Sequence, residues 1–373
     1  MRTYIIGAGF SHAVANAPLM WQLWDYIKVA YEKEKCREGS SNRVELFEKL
    51  NDFINKIELL AKARFNQEDQ KKIYGGVREN LEYLLTLLDI HHEYSAHFKF
   101  DEQKAEVCPY PVIPFPYIGK IEYLKNAIST YLYIVFQDLK ENEILNKFTS
   151  LVKENDSFIN FNYDLLLEKG LWDKKLWSPL GGYIGINSFE HDSDLNDLDN
   201  AGRISKTYIY KMHGSLMFFS HGLKPDNIKI KLDNYEKWDF FFKEFHDLLS
   251  RAPKKPSGKV SRKISKGYLG TYHPHWILPS FVKPFDSKIF YSIWRAAFDL
   301  VRNTEELHII GYSFRPEDTN GQLLLLNLSE NSKVILVDPN ESLKNRIENI
   351  IGKSVSKYYK SIIDYICEQQ KSR

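Results

Sequence analysis

Apolar residues gather in short blocks at six places in the chain, and between these blocks they recur at helical spacing. Tyr4-Ile5-Ile6 lead into Gly7-Ala8-Gly9, and five further blocks follow: "DSFINFN" (Asp156–Asn162), "TYIYKMHG" (Thr207–Gly214), "HWILPS" (His275–Ser280), "ELHIIGYS" (Glu306–Ser313) and "KVILVDPN" (Lys333–Asn340). Short apolar runs rich in β-branched and aromatic residues, ending in glycine or polar residues, predict buried strands. Helical stretches such as "SKIFYSIWRAAFDLVRN" lie between several of them. Strands alternating with helices predict an α/β fold, a Rossmann-like, mostly parallel sheet with helices on both faces.

One long region departs from this alternation. From Leu19 to about Lys153 the pattern is helical, in "LFEKLNDFINKIELLAKA", "NLEYLLTLLDIHHEY" and "IEYLKNAISTYLYIVFQDLKENEILNKF". The proline-rich "CPYPVIPFPYIG" (Cys108–Gly119) interrupts it as an extended connector. The expected organisation is therefore a sheet domain of residues 1–18 and 154–373, with a helical lobe, residues 19–153, inserted after the first strand and helix.

Composition narrows the class. With 373 residues, 43% of them hydrophobic, the chain has enough apolar material for a sizeable core. Fifty-one Lys and Arg against 49 Asp and Glu give a formal charge of +2, which offers no global argument for a polyanion or a membrane surface. The three cysteines, Cys36, Cys108 and Cys367, are dispersed. They suit a reducing compartment and cannot supply a four-cysteine zinc site, so no zinc or other metal is expected. No apolar run approaches the length of a membrane span and no secretory leader precedes the first strand, so a cytoplasmic protein is expected. "RAPKKPSGKVSRKISKG" (Arg251–Gly267) is basic without a single acid; it reads as a solvated loop, with a nucleic-acid or partner contact as the alternative.

Candidate chemistry lies where the strands end, because ligands of open α/β sheets bind beyond the C-terminal ends of their strands. A strand, the loop Gly7-Ala8-Gly9 and the helix start Phe10-Ser11 would form a phosphate cradle from backbone N–H groups and a helix N-terminus. His12 stands where the dinucleotide fingerprint needs its third glycine, which argues against a standard dehydrogenase. The other ends read Asn162-Tyr163-Asp164, His213-Gly214-Ser215, Pro279-Ser280, Gly311-Tyr312-Ser313 and Asp338-Pro339-Asn340. Asn162 is a neutral carboxamide able to hold a water or a ribose hydroxyl. His213 titrates near neutrality and suits a general base. Asp338 or Asn340, following "VILV", would bind the adenosine ribose hydroxyls.

In this order, these motifs resemble those of the Sir2 (sirtuin) superfamily: a GAGxS loop, an N-x-D triplet, a strand ending in HG and a GTS-like turn, here Gly311-Tyr312-Ser313. "NLEYLLTLL" (Asn80–Leu88) is similar to a segment of bacterial Sir2-like NAD hydrolases of phage defence. The resemblance implies NAD as substrate, Gly7, Ala8, Gly9, Phe10 and Ser11 on the diphosphate, Asp164 on the nicotinamide carboxamide, and Gly311 and Ser313 in cofactor binding. It also implies Asn162 and His213 as the catalytic pair. Two departures count against a sirtuin deacylase: the chain lacks the zinc module's cysteines, and "LPSFVKPF" (Leu278–Phe285) replaces the V-x-F-G-E segment lining the acyl-lysine channel. The expected activity is NAD+ glycohydrolysis to nicotinamide and ADP-ribose in antiphage defence. A latent enzyme of this kind would be held by a homo-oligomer or a separately encoded partner such as a HerA-type ATPase. The alternatives are a deacylase or ADP-ribosyltransferase, and a non-catalytic module sensing NAD or ADP-ribose.

Overall fold

The computed structural model describes residues 2–36, 44–45, 47–48, 51–52, 54–55, 135–136, 139–186, 205–220, 228–230, 273–276, 288–315 and 318–371. The chain divides into two compact units. One comprises Met1–Leu19, Phe136–Ile277 and Pro284–Arg373, the other Met20–Val135 and Leu278–Lys283. In the second unit α2 (Leu23–Lys35) is described, with Phe47 stacked on Tyr31 at 4.0 Å. The motif at Asn80–Leu88, the connector Cys108–Gly119, the segment Leu278–Phe285 and the basic stretch Arg251–Gly267 lie outside the described residues.

The first unit is built on six strands: β1 (Arg2–Ile6), β2 (Ser157–Asn160), β3 (Tyr208–Lys211), β7 (Glu306–Ile310), β8 (Lys333–Val337) and β9 (Lys357–Tyr359). They lie in the order β3-β2-β1-β7-β8-β9, and every pairing is parallel. That is the doubly wound Rossmann order, with three strands running outward on each side of a switch between β1 and β7. Two helical layers accompany the sheet. In one, α1 (Ala8–Ala15), α3 (Glu143–Thr149), α4 (Leu166–Asp173) and α8 (Ile362–Lys371) pack together; in the other, α5 (Lys288–Arg302), α6 (Thr319–Leu326) and α7 (Ser342–Ile351) do so. The expected α/β Rossmann-like architecture is what the chain adopts.

One expected strand belongs elsewhere. The "HWILPS" block was to join the parallel sheet; instead β6 (His273–Trp276) pairs antiparallel with β4 (Gly214–Ser220), which also pairs with β5 (Ile228–Ile230), in a separate three-stranded sheet. Two residues explain this. Gly214, at φ +91°, lets the chain turn away as soon as β3 ends. Pro274 has no N–H to give to a ladder, which suits the place of β6 at the edge of its sheet. The block β9, three residues long, carries too short a pattern to read as a strand.

The centre of the sheet is an aromatic ladder across three strands. Tyr4 of β1 stacks on Phe158 of β2 (4.9 Å between centroids) and on His308 of β7 (4.7 Å), each its direct neighbour in register. Below it Arg2 grips Asp156 through two hydrogen bonds of 3.2 and 2.6 Å, joining β1 to the start of β2. His308 is wholly buried; its Nδ1 lies 2.9 Å from the Tyr365 hydroxyl and its Nε2 3.5 Å from Glu306. Burial lowers its pKa, and the opposing pull of Glu306 does not reverse this.

A histidine held neutral by the fold contributes stability above its ordinary value of 6.5, and that contribution is lost as pH falls through the lowered folded value. The melting temperature should therefore drop between about pH 7 and about pH 5. In His308→Gln this drop should be visibly smaller by differential scanning calorimetry; an identical profile would remove His308 as its source.

Candidate functional site

At the switch between β1 and β7 the two following loops touch backbone to backbone. Gly7 N donates to Ile310 O (3.1 Å), Gly9 N to Gly311 O (2.9 Å) and Phe10 N to Gly7 O (2.9 Å). A methyl on Gly7 would lie 2.5 Å from Gly311 O, and one on Gly311, whose φ is +62°, 2.4 Å from Phe10 N. The glycines answer first to this crossing, and three of the loop amides are spent inside the fold. Of the loop's side chains, Ala8 is exposed, whereas Phe10 belongs to the core, 1% exposed and edge-on to Phe148 at 5.0 Å.

The end of β2 is tied to this crossing by side chains. Asn162 Nδ2 donates to Gly7 O (2.9 Å) and to Ser11 Oγ (2.8 Å), and Ser11 Oγ donates onward to Asp164 Oδ2 (2.7 Å). Asp164 Oδ1 accepts from Leu166 N (3.1 Å) as α4 begins. Both N–H bonds of the Asn162 amide are thus committed, which leaves its Oδ1 to accept a hydrogen bond from a ligand. Ser11, 2% exposed, has its proton on Asp164, so its hydroxyl serves the loop junction; an anion would have to displace that bond.

Beneath the loop lies an ion pair that no motif announces. Lys211, the last residue of β3, donates to the carbonyls of Asn162 (2.9 Å) and Asp164 (2.7 Å) and pairs with Glu168 of α4 at 2.8 Å, both side chains being fully buried. Tyr183 donates to the same carboxylate at 3.1 Å. Burial pushes the Glu168 carboxyl up, against the pull of the Lys211 ammonium. A signal was present in the sequence: a lysine inside the apolar run "YIYKM" has to find a partner when the strand is buried on both faces.

His213 follows at the end of β3, 8% exposed, within an aromatic wall. The Phe161 ring meets it edge-on at 5.2 Å, with Tyr163 and Trp294 at 6.4 and 6.5 Å. Trp294 Nε1 donates to Met212 O (3.2 Å), bracing the residue before the histidine. Asn162 and His213 therefore stand on neighbouring strand ends, the Phe161 and Tyr163 side chains facing the imidazole while the Asn162 amide faces Gly7.

The remaining candidates lie on the other side of the switch. Gly311 N donates to Val337 O (3.1 Å), which brings the glycine beside the end of β8. There Asp338, half-buried, accepts from Asn340 N (2.8 Å), and Asn340 accepts from Ser342 N (3.1 Å) and Ser342 Oγ (2.7 Å) to start α7. Burial raises the Asp338 carboxyl, opposed by the Asn340 amide. Ser313 is exposed, and its carbonyl accepts from Arg346 (3.2 Å). Hydrogen bonds or direct contact thus unite Gly7, Gly9, Ser11, Asn162, Asp164 and Gly311, while Asp338 and Asn340 form a separate turn one strand away. Among the described residues no group of three His, Cys, Asp or Glu side chains converges as a metal site, and no helix is long and apolar enough to cross a membrane.

No family model matches the sequence, and no curated protein matches it. Solved structures similar to the chain include a Sir2 enzyme bound to a propionylated peptide, with TM-score 0.38 and 11% identity over 69% of this chain and 80% of that one. A Sir2 complex with a peptide and NAD+ gives 0.35 and 11% over 71% and 84%. Sir2 with an inhibitor, 2′-O-acetyl-ADP-ribose and a deacetylated peptide gives 0.35 and 10% over 68% and 83%. At these scores the likenesses carry no argument about chemistry, and the fold rests on the strand order described above.

Lys211→Met should strand Glu168 as a buried charge and release two loop carbonyls, costing about 3–5 kcal/mol in urea unfolding. Adding Glu168→Leu should recover much of that loss, because the stranded charge goes with it. A double variant no more stable than the single would assign the loss to the loop carbonyls alone.

Proposed function

We propose that this chain is an NAD+ glycohydrolase, cleaving the nicotinamide–ribose bond to give nicotinamide and ADP-ribose. The observation that carries the reading is the meeting of Asn162 and Asp164 with the Gly7–Gly311 crossing at the switch point, with His213 on the adjacent strand end. A doubly wound sheet binds its ligand in that crevice, and the ordered motif resemblance to Sir2 proteins supplies NAD+ as the ligand. In the reaction the C1′–N bond breaks with its electron pair leaving on nicotinamide, a water oxygen forms the new C1′–O bond, and the water proton passes to His213. Asn162 Oδ1 orients the water or a ribose hydroxyl as acceptor, and the cationic leaving group makes a strong acid unnecessary. Asp338, on the far side of Gly311, takes the adenosine ribose. The biological role implied by the same resemblance is NAD+ depletion in antiphage defence, with a homo-oligomer or a HerA-type ATPase holding the enzyme latent.

One observation favours a second reading, a module that binds NAD+ or ADP-ribose without cleaving it. Both Asn162 N–H bonds and the Ser11 hydroxyl are engaged in holding the loops together, a structural duty that would keep these residues in place without catalysis.

The test is chromatography of nicotinamide after incubating the full chain with NAD+, alone and with products of neighbouring genes. His213→Ala should slow release by at least about 10²-fold while ADP-ribose binding persists. Release at the original rate would take His213 out of the reaction. Binding of ADP-ribose with no nicotinamide released by the unaltered chain under any condition would establish the sensing module instead.

A further inference from the structure

Two stacked rings cover the end of β1. Phe161, the first residue after β2, and Tyr312, next to Gly311 after β7, face each other with centroids 4.0 Å apart and planes 14° from parallel. Tyr312 is pressed against the glycine loop: a methyl on Gly7 would meet its Cα and Cβ at 2.6 and 2.7 Å. Phe161 meets the His213 ring edge-on and Trp294 at 6.0 Å. Phe161, Asn162 and His213 are only 5%, 8% and 8% exposed. A third ring needs about 7 Å between its neighbours, two van der Waals contacts of about 3.5 Å, so nothing aromatic enters while this stack is closed.

The closed stack is also under tension. The Tyr312 hydroxyl is buried with no hydrogen-bond partner, an arrangement that costs free energy in the closed state. Gly311 (φ +62°) and Phe314 (φ +43°) bracket the segment in the left-handed region, which a phenylalanine adopts only when its surroundings force it. An acceptor stands close by. A methyl on Gly321 would meet Tyr312 Oη at 2.7 Å and Asp318 Oδ2 at 3.0 Å, so both groups overlie the same glycine.

We propose that the Phe161–Tyr312 stack is a gate over Asn162 and His213, closed in this form and opened by swinging the Tyr312 ring so that its hydroxyl reaches the Asp318 carboxylate. The gate gives a latent enzyme a barrier within its own chain, which an oligomer or partner would act on by holding Tyr312 open or shut. This proposal rests on the reading of the crevice as a nucleotide-cleaving site, yet its first test needs no catalysis.

That test is the rate at which diethyl pyrocarbonate modifies His213 in the full chain, followed by peptide mass spectrometry, with the wholly buried His308 as internal control. Tyr312→Ala should speed modification of His213 by about tenfold, the upper worth of one aromatic pair, with His308 still protected. Tyr312→Phe keeps the ring and removes the stranded hydroxyl, so it should close the gate more tightly and slow modification by at least about fivefold. The proposal is overturned if His213 reacts within about twofold of the unaltered chain in both variants. It is equally overturned if His308 reacts in step with His213 in Tyr312→Ala, a sign of unfolding, and Tyr312→Phe brings no slowing. Incubation of Tyr312→Ala with NAD+ separates the two readings: faster modification with nicotinamide released at an increased rate supports both, whereas faster modification without any release keeps the gate and rejects the hydrolase.

Discussion

Everything at the candidate site is arranged around one steric fact: the loops leaving β1 and β7 cross so closely that neither can carry a side chain at the crossing. Gly7 and Gly311 are within van der Waals contact of each other's backbone, and Gly9 N closes the crossing with a hydrogen bond to Gly311 O. This happens at the switch point because parallel neighbours β1 and β7 are in register from Arg2 beside Glu306 to Ile6 beside Ile310, so both chains leave the sheet at the same height. From that crossing the remaining groups take their positions. Asn162 hangs from Gly7 O, Ser11 hangs from Asn162, and Asp164 takes the proton of Ser11.

Holding a loop of this kind takes charge as well as packing. A polar loop at the end of a buried strand presents carbonyls that water cannot reach, and Lys211 satisfies two of them with one ammonium. Its burial is tolerable because Glu168 neutralises it, with Tyr183 donating to the same oxygen, Oε1, of that carboxylate. The pair is a weak source of net stability but a strong source of specificity. Any displacement of the 162–164 loop would strand an ammonium, a carboxylate and two carbonyls together, so the loop has one low-energy position. Under the proposed hydrolase reading the Asn162 carboxamide would need just this, since its contribution would depend on aim more than on strength.

Legibility in the sequence followed the range of the interactions involved. Strands β1, β2, β7 and β8 were readable because each is an apolar run long enough to be buried on both faces, and their ends delivered the right loops to one edge of the sheet. The block at His275 misled because a short apolar run has the same look in either sheet, and only the turn at Gly214 and the edge position of Pro274 decide between them. Gly7 and Gly9 were legible as glycines with a purpose, but their partner, Gly311, lies some three hundred residues on and is joined to them solely by strand order. Lys211 hid inside a motif whose histidine drew the eye. Phe161 and Tyr312 carry no motif at all, since aromatics beside two strand ends become a stacked pair only when those ends meet.

The same rigidity bears on how the crevice can work. If the crevice cleaves NAD+ as proposed, polar groups already bonded to one another would need little reorganisation to hold the transition state, which favours electrostatic preorganisation over induced assembly. Burial strengthens each of these hydrogen bonds, and His213 sits in an apolar aromatic wall. The cost falls on access, because Asn162 and His213 are each only 8% exposed. Motion must then come from a group outside the hydrogen-bonded cluster. Tyr312 meets that condition: its ring is held by stacking, its hydroxyl has no partner to lose, and Phe314, two residues on in the left-handed region, has strain to release. In the proposed scheme rigid placement rests on Asn162 with Lys211 and controlled entry on Tyr312 with Phe161, so substitutions at the two pairs would act on different steps.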